Sequence, residues 1–275
     1  MLFPVMRVTL GICCKMPYIE HNAPEKGLDL MERFMNENYN RTVGVSQETD
    51  LGLRNFMLGT YRYMAAAMAV TAGVAYFGGQ AIQANPQLLG LLRSPVLLLG
   101  FVIAIPVLFG TVGRKLPTMS MGGVLTFLFG FAAFMGVFMS AVSVFAPPMV
   151  IAKIFFMTVA MFGALSLFGY STGRDLSTFV KYAFAAFLGY VVISVAGAFF
   201  PALRPTGPLD IIINVVALGA IAMITAWETQ MLKRVYYGSA GNPAMMKKMS
   251  AYGAASLLLA FVNMFQILMS LFGRE

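Results

Sequence analysis

Glu228 is the one acid of this 275-residue chain that lies inside a hydrophobic run and beyond that run's first turn. A carboxylate at the middle of a lipid-embedded helix costs roughly 2.5 to 3.5 kcal/mol on insertion scales, so something must offset it. If the run ends near Met231, Glu228 lies about one turn, roughly 5 Å, inside it. Two readings follow: a partly hydrated structural acid beside Lys233 and Arg234, or a protonatable group facing the interior of a helix bundle. As a metal ligand Glu228 is weak, because calcium takes several oxygens and only amide oxygens from Asn263 or Gln266 could join it.

The last hydrophobic run carries a polar stripe. Ser256, Asn263 and Ser270 recur every seven residues, with Gln266 three beyond Asn263 and Ala260 on the same stripe, and this spacing places them on one face of a helix. Intramembrane amides either bond to a neighbouring helix or line a pathway, and in both cases the stripe points inward. Arg114 and Lys115 close the second run on the same side as Glu228, where an ion pair is sterically conceivable. Asp175, just before the fifth run, is placed to cap it through its free amides. Lys153 and Lys181 read as interfacial anchors.

Several chemistries lack their residues. The only histidine is His21, in the amino-terminal tail, so an intramembrane zinc site has no ligand set. A retinal Schiff base would need a lysine in the last run, Met249 to Phe272, which has none. A serine nucleophile would find only Glu228 as a base, at no motif spacing. The expectation is a non-enzymatic protein without a resident cofactor.

The elements that must position these residues are membrane helices. Hydrophobic residues make up 59% of the chain against 11% charged, with a mean hydropathy of +0.77, a balance that requires lipid as solvent. Apolar runs of spanning length fall at about Tyr61 to Gln80, Pro95 to Gly113, Met119 to Phe145, Met149 to Tyr170, Leu176 to Phe200, Leu209 to Met231 and Met249 to Phe272. Pro86, Pro147 with Pro148, the prolines 201, 205 and 208, and the stretch from Gly238 to Pro243 separate them. Pro106 falls within the second run and should kink it rather than end it. The fold class is therefore all-α: a polytopic membrane protein of seven transmembrane helices spanning 59–275, after a cytoplasmic tail over 1–58 expected to lack order.

Orientation follows from basic residues near the run ends. With the amino terminus inside, the inner side collects Arg54, Arg62, Arg114, Lys115, Arg174, Lys181, Lys233, Arg234, Lys247 and Lys248, against Arg93, Lys153, Arg204 and Arg274 outside. The net charge of +8 is thus accounted for by orientation and anionic lipid, which leaves no case for nucleic acid. Adjacent Cys13 and Cys14 cannot bridge one another in the ordinary way. Met1 to Cys14 is broken by Pro4 and Arg7 with no cleavage pattern after it, and Met31 reads as an alternative start.

The stretch Phe162-Gly163-Ala164-Leu165-Ser166-Leu167-Phe168-Gly169-Tyr170-Ser171-Thr172-Gly173-Arg174-Asp175-Leu176-Ser177 resembles the signature of the Bax inhibitor-1 family in its bacterial form. Thr225-Ala226-Trp227-Glu228-Thr229-Gln230 is similar to that family's sixth-helix segment, and Leu257 to Phe265 to its seventh-helix segment. The likeness runs in order from about Leu51 to Gly273. It implies a Bax inhibitor-1-like bundle of seven helices with a cytoplasmic amino terminus, set in a bacterial inner membrane. It also implies a pH-sensitive calcium leak, gated by two carboxylates that share a proton, one on the sixth helix and one on the seventh, with an arginine on the second helix as a latch.

Relatives are further associated with a membrane-bound protease and, in eukaryotes, with suppression of cell death. The sixth-helix acid corresponds to Glu228, the seventh-helix acid to Ala260, and the nearest matches to the latch are Arg114 and Lys115. With one acid of the pair missing, two functions stay open: a cation leak with transient calcium and Glu228 as its gate, or a non-conducting protein that regulates a partner such as a membrane protease.

Overall fold

The computed structural model of the protein describes residues 25–239 and 242–273, with side chains from Leu51 onward. The readings of Met1 to Cys14, of His21 and of Arg274 lie outside the described residues. Among the described residues eight α-helices follow one another: α1 (Glu25–Ala84), α2 (Gln87–Leu92), α3 (Pro95–Lys115), α4 (Met121–Phe145), α5 (Pro148–Ser171), α6 (Ser177–Phe199), α7 (Pro208–Gly238) and α8 (Pro243–Phe272), with a short 3-10 turn over Pro201–Leu203. No strand occurs among the described residues. Seven helices are long and apolar enough to span a bilayer: all but α2, with α1 contributing Leu51–Ala84. The chain divides into two compact units after Leu51, and the second, from Gly52, is the helical bundle.

The helix ends follow local chemistry. Ser120 caps α4 by accepting from the Gly123 amide at 3.2 Å, and Asn242 caps α8 by accepting from Met245 N at 3.0 Å. Proline opens α3, α5, α7 and α8 within the first two positions, where its missing N–H leaves no hydrogen bond unmade. Gly207, at φ 61°, turns the chain into α7 in a backbone conformation that glycine adopts freely. The helix α3 continues through Pro106. Among its carbonyls, that of Phe109 accepts a hydrogen bond at 3.0 Å from the Tyr252 hydroxyl of α8, which Gly113 allows to come close.

Two run ends differ from the sequence reading in a way that matters for the site. The sixth span continues to Gly238 rather than ending near Met231, so Glu228 stands ten residues, about 15 Å, from the end of its helix instead of one turn. The residues responsible are polar but still helical: Lys233 finds a partner in the last turn of α5 and Arg234 one on the α5–α6 connection, so the helix is prolonged by packing rather than stopped by charge. The last span likewise begins at Pro243 and carries Lys247 and Lys248 in its first turns.

The helix α8 is the centre of the bundle. Within its most apolar stretch 56% of the residues are buried, against none in the corresponding stretch of α3, which lies at the periphery. Its neighbours are α4, α5 and α7. On α1, Thr60 reaches it through a 3.0 Å hydrogen bond between the Thr60 and Ser250 hydroxyls. Lipid tails offer no hydrophobic drive to associate, so such helices are held by close packing of small residues and by hydrogen bonds between them. The buried run Gly253, Ala254 and Ala255 of α8 supplies the first of these.

Gly169 of α5 shows how tight that packing is. A Cβ there would collide with the carbonyl oxygen of Ala226 on α7, a backbone atom that cannot move aside, whereas at Gly163 in the same helix nothing lies within 4 Å. Gly169→Ala should therefore destabilise the bundle by roughly 1 to 3 kcal/mol, the usual cost of overpacking. Thermal melting in detergent will show Gly169→Ala several degrees below wild type and Gly163→Ala unchanged. Equal melting temperatures for the two variants would contradict the close α5–α7 contact.

Candidate functional site

The Glu228 side chain leaves α7 toward α8. Its Oε1 accepts a 2.6 Å hydrogen bond from the Ser256 hydroxyl, and its Oε2 is buried with no hydrogen-bond partner. Each short bond of this kind to an oxygen that can carry charge is stronger than a neutral pair. The residue as a whole is partly exposed, but the carboxyl head is sealed off. Thr225 and Thr229, on either side of it along α7, spend their hydroxyls on helix carbonyls, those of Ile221 at 2.7 Å and Thr225 at 3.2 Å. Thr229 also lies 3.4 Å from the Ser166 hydroxyl of α5, and the Tyr61 side chain of α1 faces both. A band of hydroxyls from α1, α5 and α7 thus crosses the bundle at the level of Glu228.

The polar stripe of α8 divides on inspection. Ser256 reaches another helix, while Asn263 donates to Leu259 O of its own helix at 2.9 Å, and Gln266 is half-buried. Ala260, one turn beyond Ser256, is 2% exposed, so a methyl group occupies the place where the resemblance puts a second acid. Arg114 and Lys115 are exposed at the end of α3 and form no ion pair with Glu228, whose bonded oxygen is taken by Ser256. They carry charge at the bundle surface in this arrangement.

The family-like segments on α5–α6 and α7 meet each other. Trp227, Gln230 and Arg234 recur at i, i+3 and i+7 along one face of α7, turned away from Glu228. Gln230 Oε1 accepts from the Leu176 amide at 3.1 Å, and its Nε2 donates to the Arg174 carbonyl at 2.7 Å. Arg234 places Nη2 2.6 Å from Asp175 Oδ1 and Nη1 3.2 Å from the Ser177 hydroxyl, which also receives Trp227 Nε1 at 3.4 Å. Lys233 donates to the Tyr170 carbonyl at 3.4 Å, its ammonium 5.4 Å from the centre of the Tyr170 ring. The N-cap of α6 is Leu176 rather than Asp175, but from one position before it Asp175 Oδ1 accepts from the Ser177 amide at 2.9 Å.

Reading the sequence assigned Gln230 to a motif without a role, and assigned Lys233 and Arg234 to general charge. The useful signal is the i, i+3, i+7 spacing of Trp227, Gln230 and Arg234, which separates Gln230 and Arg234 from Glu228. The hydroxyl band of Tyr61, Ser166 and Thr229 gave no signal, since single hydroxyls in apolar helices are common and bond to their own backbone.

The Ser177 amide and the Arg234 guanidinium hold the Asp175 carboxyl down at about 2. A carboxylate with a depressed folded value stabilises the fold above its ordinary titration near 4, and loses that contribution as pH falls through about 2. Amide exchange across 172–177 should therefore quicken in wild type relative to Asp175→Asn as pH drops from about 4 to 2, and a constant ratio between the two would contradict the cap. Gln230→Leu strands the Leu176 amide and the Arg174 carbonyl, each loss worth about 1 to 3 kcal/mol if buried. Melting of Gln230→Leu should fall well below that of Asp175→Asn, and the reverse order would place the clamp elsewhere.

The family described as "Inhibitor of apoptosis-promoting Bax1" matches residues 53–275. Among curated proteins, an uncharacterized protein of Caulobacter vibrioides is 30% identical over 249 residues, 86% of this chain and 97% of that protein. The inner membrane protein YbhL of Escherichia coli is 32% identical over 226 residues, covering 82% of this chain and 93% of YbhL. An uncharacterized membrane protein of Streptococcus pyogenes is 28% identical over 228 residues, 83% of this chain and 96% of its own length. The match takes in all seven spans, both segments that clamp together at Gln230, and the position of Glu228; this chain is a multi-pass membrane protein of the Bax inhibitor-1 family.

Proposed function

We propose that this protein is a pH-sensitive cation leak of the bacterial inner membrane, with calcium as cargo and the Glu228 carboxyl as its protonatable gate. The observation that carries the reading is the Glu228 head between α7 and α8, with Ser256 bonded to one oxygen and the other buried without a partner. Intramembrane acids in such positions line ion and proton routes in membrane proteins generally. Loss or gain of a proton changes what Oε2 can do: neutral, it can donate a hydrogen bond; charged, it attracts a cation. Calcium takes six to eight oxygens, so one carboxylate flanked by hydroxyls serves as a passing contact, not a resident site.

The inner-membrane placement rests on the likeness to YbhL. The cytoplasmic amino terminus rests on the excess of Lys and Arg at one end of the spans. In this family setting, buried Ala260 leaves Glu228 without a second acid to share its proton, and that favours one rival: a non-conducting protein that regulates a membrane partner such as a protease.

Calcium flux into liposomes holding the purified protein, followed from about pH 6 to 8, separates the two. Wild type should conduct, and Glu228→Gln should flatten its pH dependence. Silent wild type with a conducting Ala260→Asp would mean that the fold holds a pathway but has lost its switch, which sinks the leak for this chain. Silence of all three proteins would leave the regulator, to be tested by copurification with a membrane protease.

A further inference from the structure

The last turn of α3 and the first turns of α8 meet at one end of the bundle. The Tyr252 hydroxyl reaches back to the Phe109 carbonyl, and Lys248 Nζ donates to the Pro117 carbonyl, just past α3, at 3.2 Å. Beneath them Leu116 and Ala251 share a small apolar core with Val124 of α4. These contacts bring Arg114 and Lys115 to the same corner of the bundle as Lys247 and Lys248. Arg114, Lys115 and Lys247 are exposed, and Lys248 is half-buried. No acid among the described side chains answers them: Asp175 is held by Arg234, Asp210 opens α7 at the opposite end, and Glu228 lies inside the bundle. Four like charges gathered in this way repel one another, a cost that an anion seated among them removes.

The face of α3 below the patch indicates what that anion is attached to. Val96, Ile103, Val107, Gly110 and Arg114 fall on one side of the helix, Arg114 standing 18 residues, or five turns, beyond Val96. All five are exposed, Val96 by 72% and Val107 by 55%, and a Cβ at Gly110, one turn below Arg114, would meet nothing within 4 Å. The stripe is about 27 Å long, close to the roughly 30 Å of a bilayer's hydrocarbon core, so Arg114 stands at headgroup level above a face that only acyl chains can cover. An acidic protein segment would satisfy the charges but has no use for the apolar stripe.

We propose that this corner seats one anionic phospholipid, its phosphate among Arg114, Lys115, Lys247 and Lys248 and its chains along the outer face of α3. The site is separate from Glu228 and does not depend on whether the protein conducts.

Native mass spectrometry of the whole protein released from detergent tests it, with dioleoyl phosphatidylglycerol and dioleoyl phosphatidylcholine as probes at equal concentration. Wild type should retain one phosphatidylglycerol with about tenfold preference over phosphatidylcholine. Arg114→Gln combined with Lys247→Gln should abolish that preference. Lys153→Gln combined with Arg204→Gln, which removes the same charge from exposed positions at the other end, should keep it. Excess inorganic phosphate should not displace the lipid, because the chains hold it as well as the head. Equal retention of the two lipids by wild type, an equal loss in both double variants, or displacement by phosphate would each overturn the proposal. Should the first double variant fail to fold, Lys115→Gln with Lys247→Gln decides in its place, and an undiminished preference there would equally overturn it.

Discussion

A carboxyl group within a helix bundle in lipid has to receive its hydrogen bonds from the protein, and at Glu228 the donor is Ser256. That bond joins α7 to α8, the most buried helix of the bundle, and so ties the one acid of the interior to the element around which the others pack. The chemistry of the second oxygen depends on it as well. With Oε1 occupied by Ser256, Oε2 is left buried without a hydrogen-bond partner. Ala260, one turn further along α8, is buried and carries no acid, so Ser256 is the group of α8 that bonds to Glu228.

The position of Glu228 is itself set from the other side of α7. The i, i+3, i+7 face of Trp227, Gln230 and Arg234 grips the α5–α6 connection, and that grip fixes the rotation of α7 about its axis. Rotation matters because Glu228 is the neighbour of Trp227: a helix that presents Trp227 to α6 must present Glu228 roughly 100° round, toward α8. Gly169 sets the distance, since only a residue without a side chain lets α5 approach the Ala226 carbonyl. The two distant segments of the sequence thus meet in one contact surface.

The seven spans were legible because lipid demands long uninterrupted apolar helices, and run boundaries came within a few residues wherever proline stood at the join, as at Pro95, Pro148 and Pro208. They were least legible at α1, whose span begins at Leu51 rather than near Tyr61, and at α7, where helix continues through Lys233 and Arg234. Hydropathy counts charge as an ending, whereas charges with partners across the bundle extend the helix. Glu228 and Ser256 were visible as an acid in an apolar run and a member of a heptad stripe. Their union was not, because spacing within one helix carries no information on which residue of another it meets. Asn263, which by its place on the stripe could bond to another helix or line a pathway, donates its amide to Leu259 of its own turn.

The claim that Glu228 exchanges a proton while held by Ser256 is open to infrared difference spectroscopy on the protein in lipid, stepping the pH and following the carboxyl C=O stretch. A titrating band that disappears in Glu228→Gln and shifts in frequency in Ser256→Ala is the predicted result. A spectrum in which no titrating band is lost on Glu228→Gln, or in which the Glu228 band is indifferent to Ser256→Ala, would contradict it.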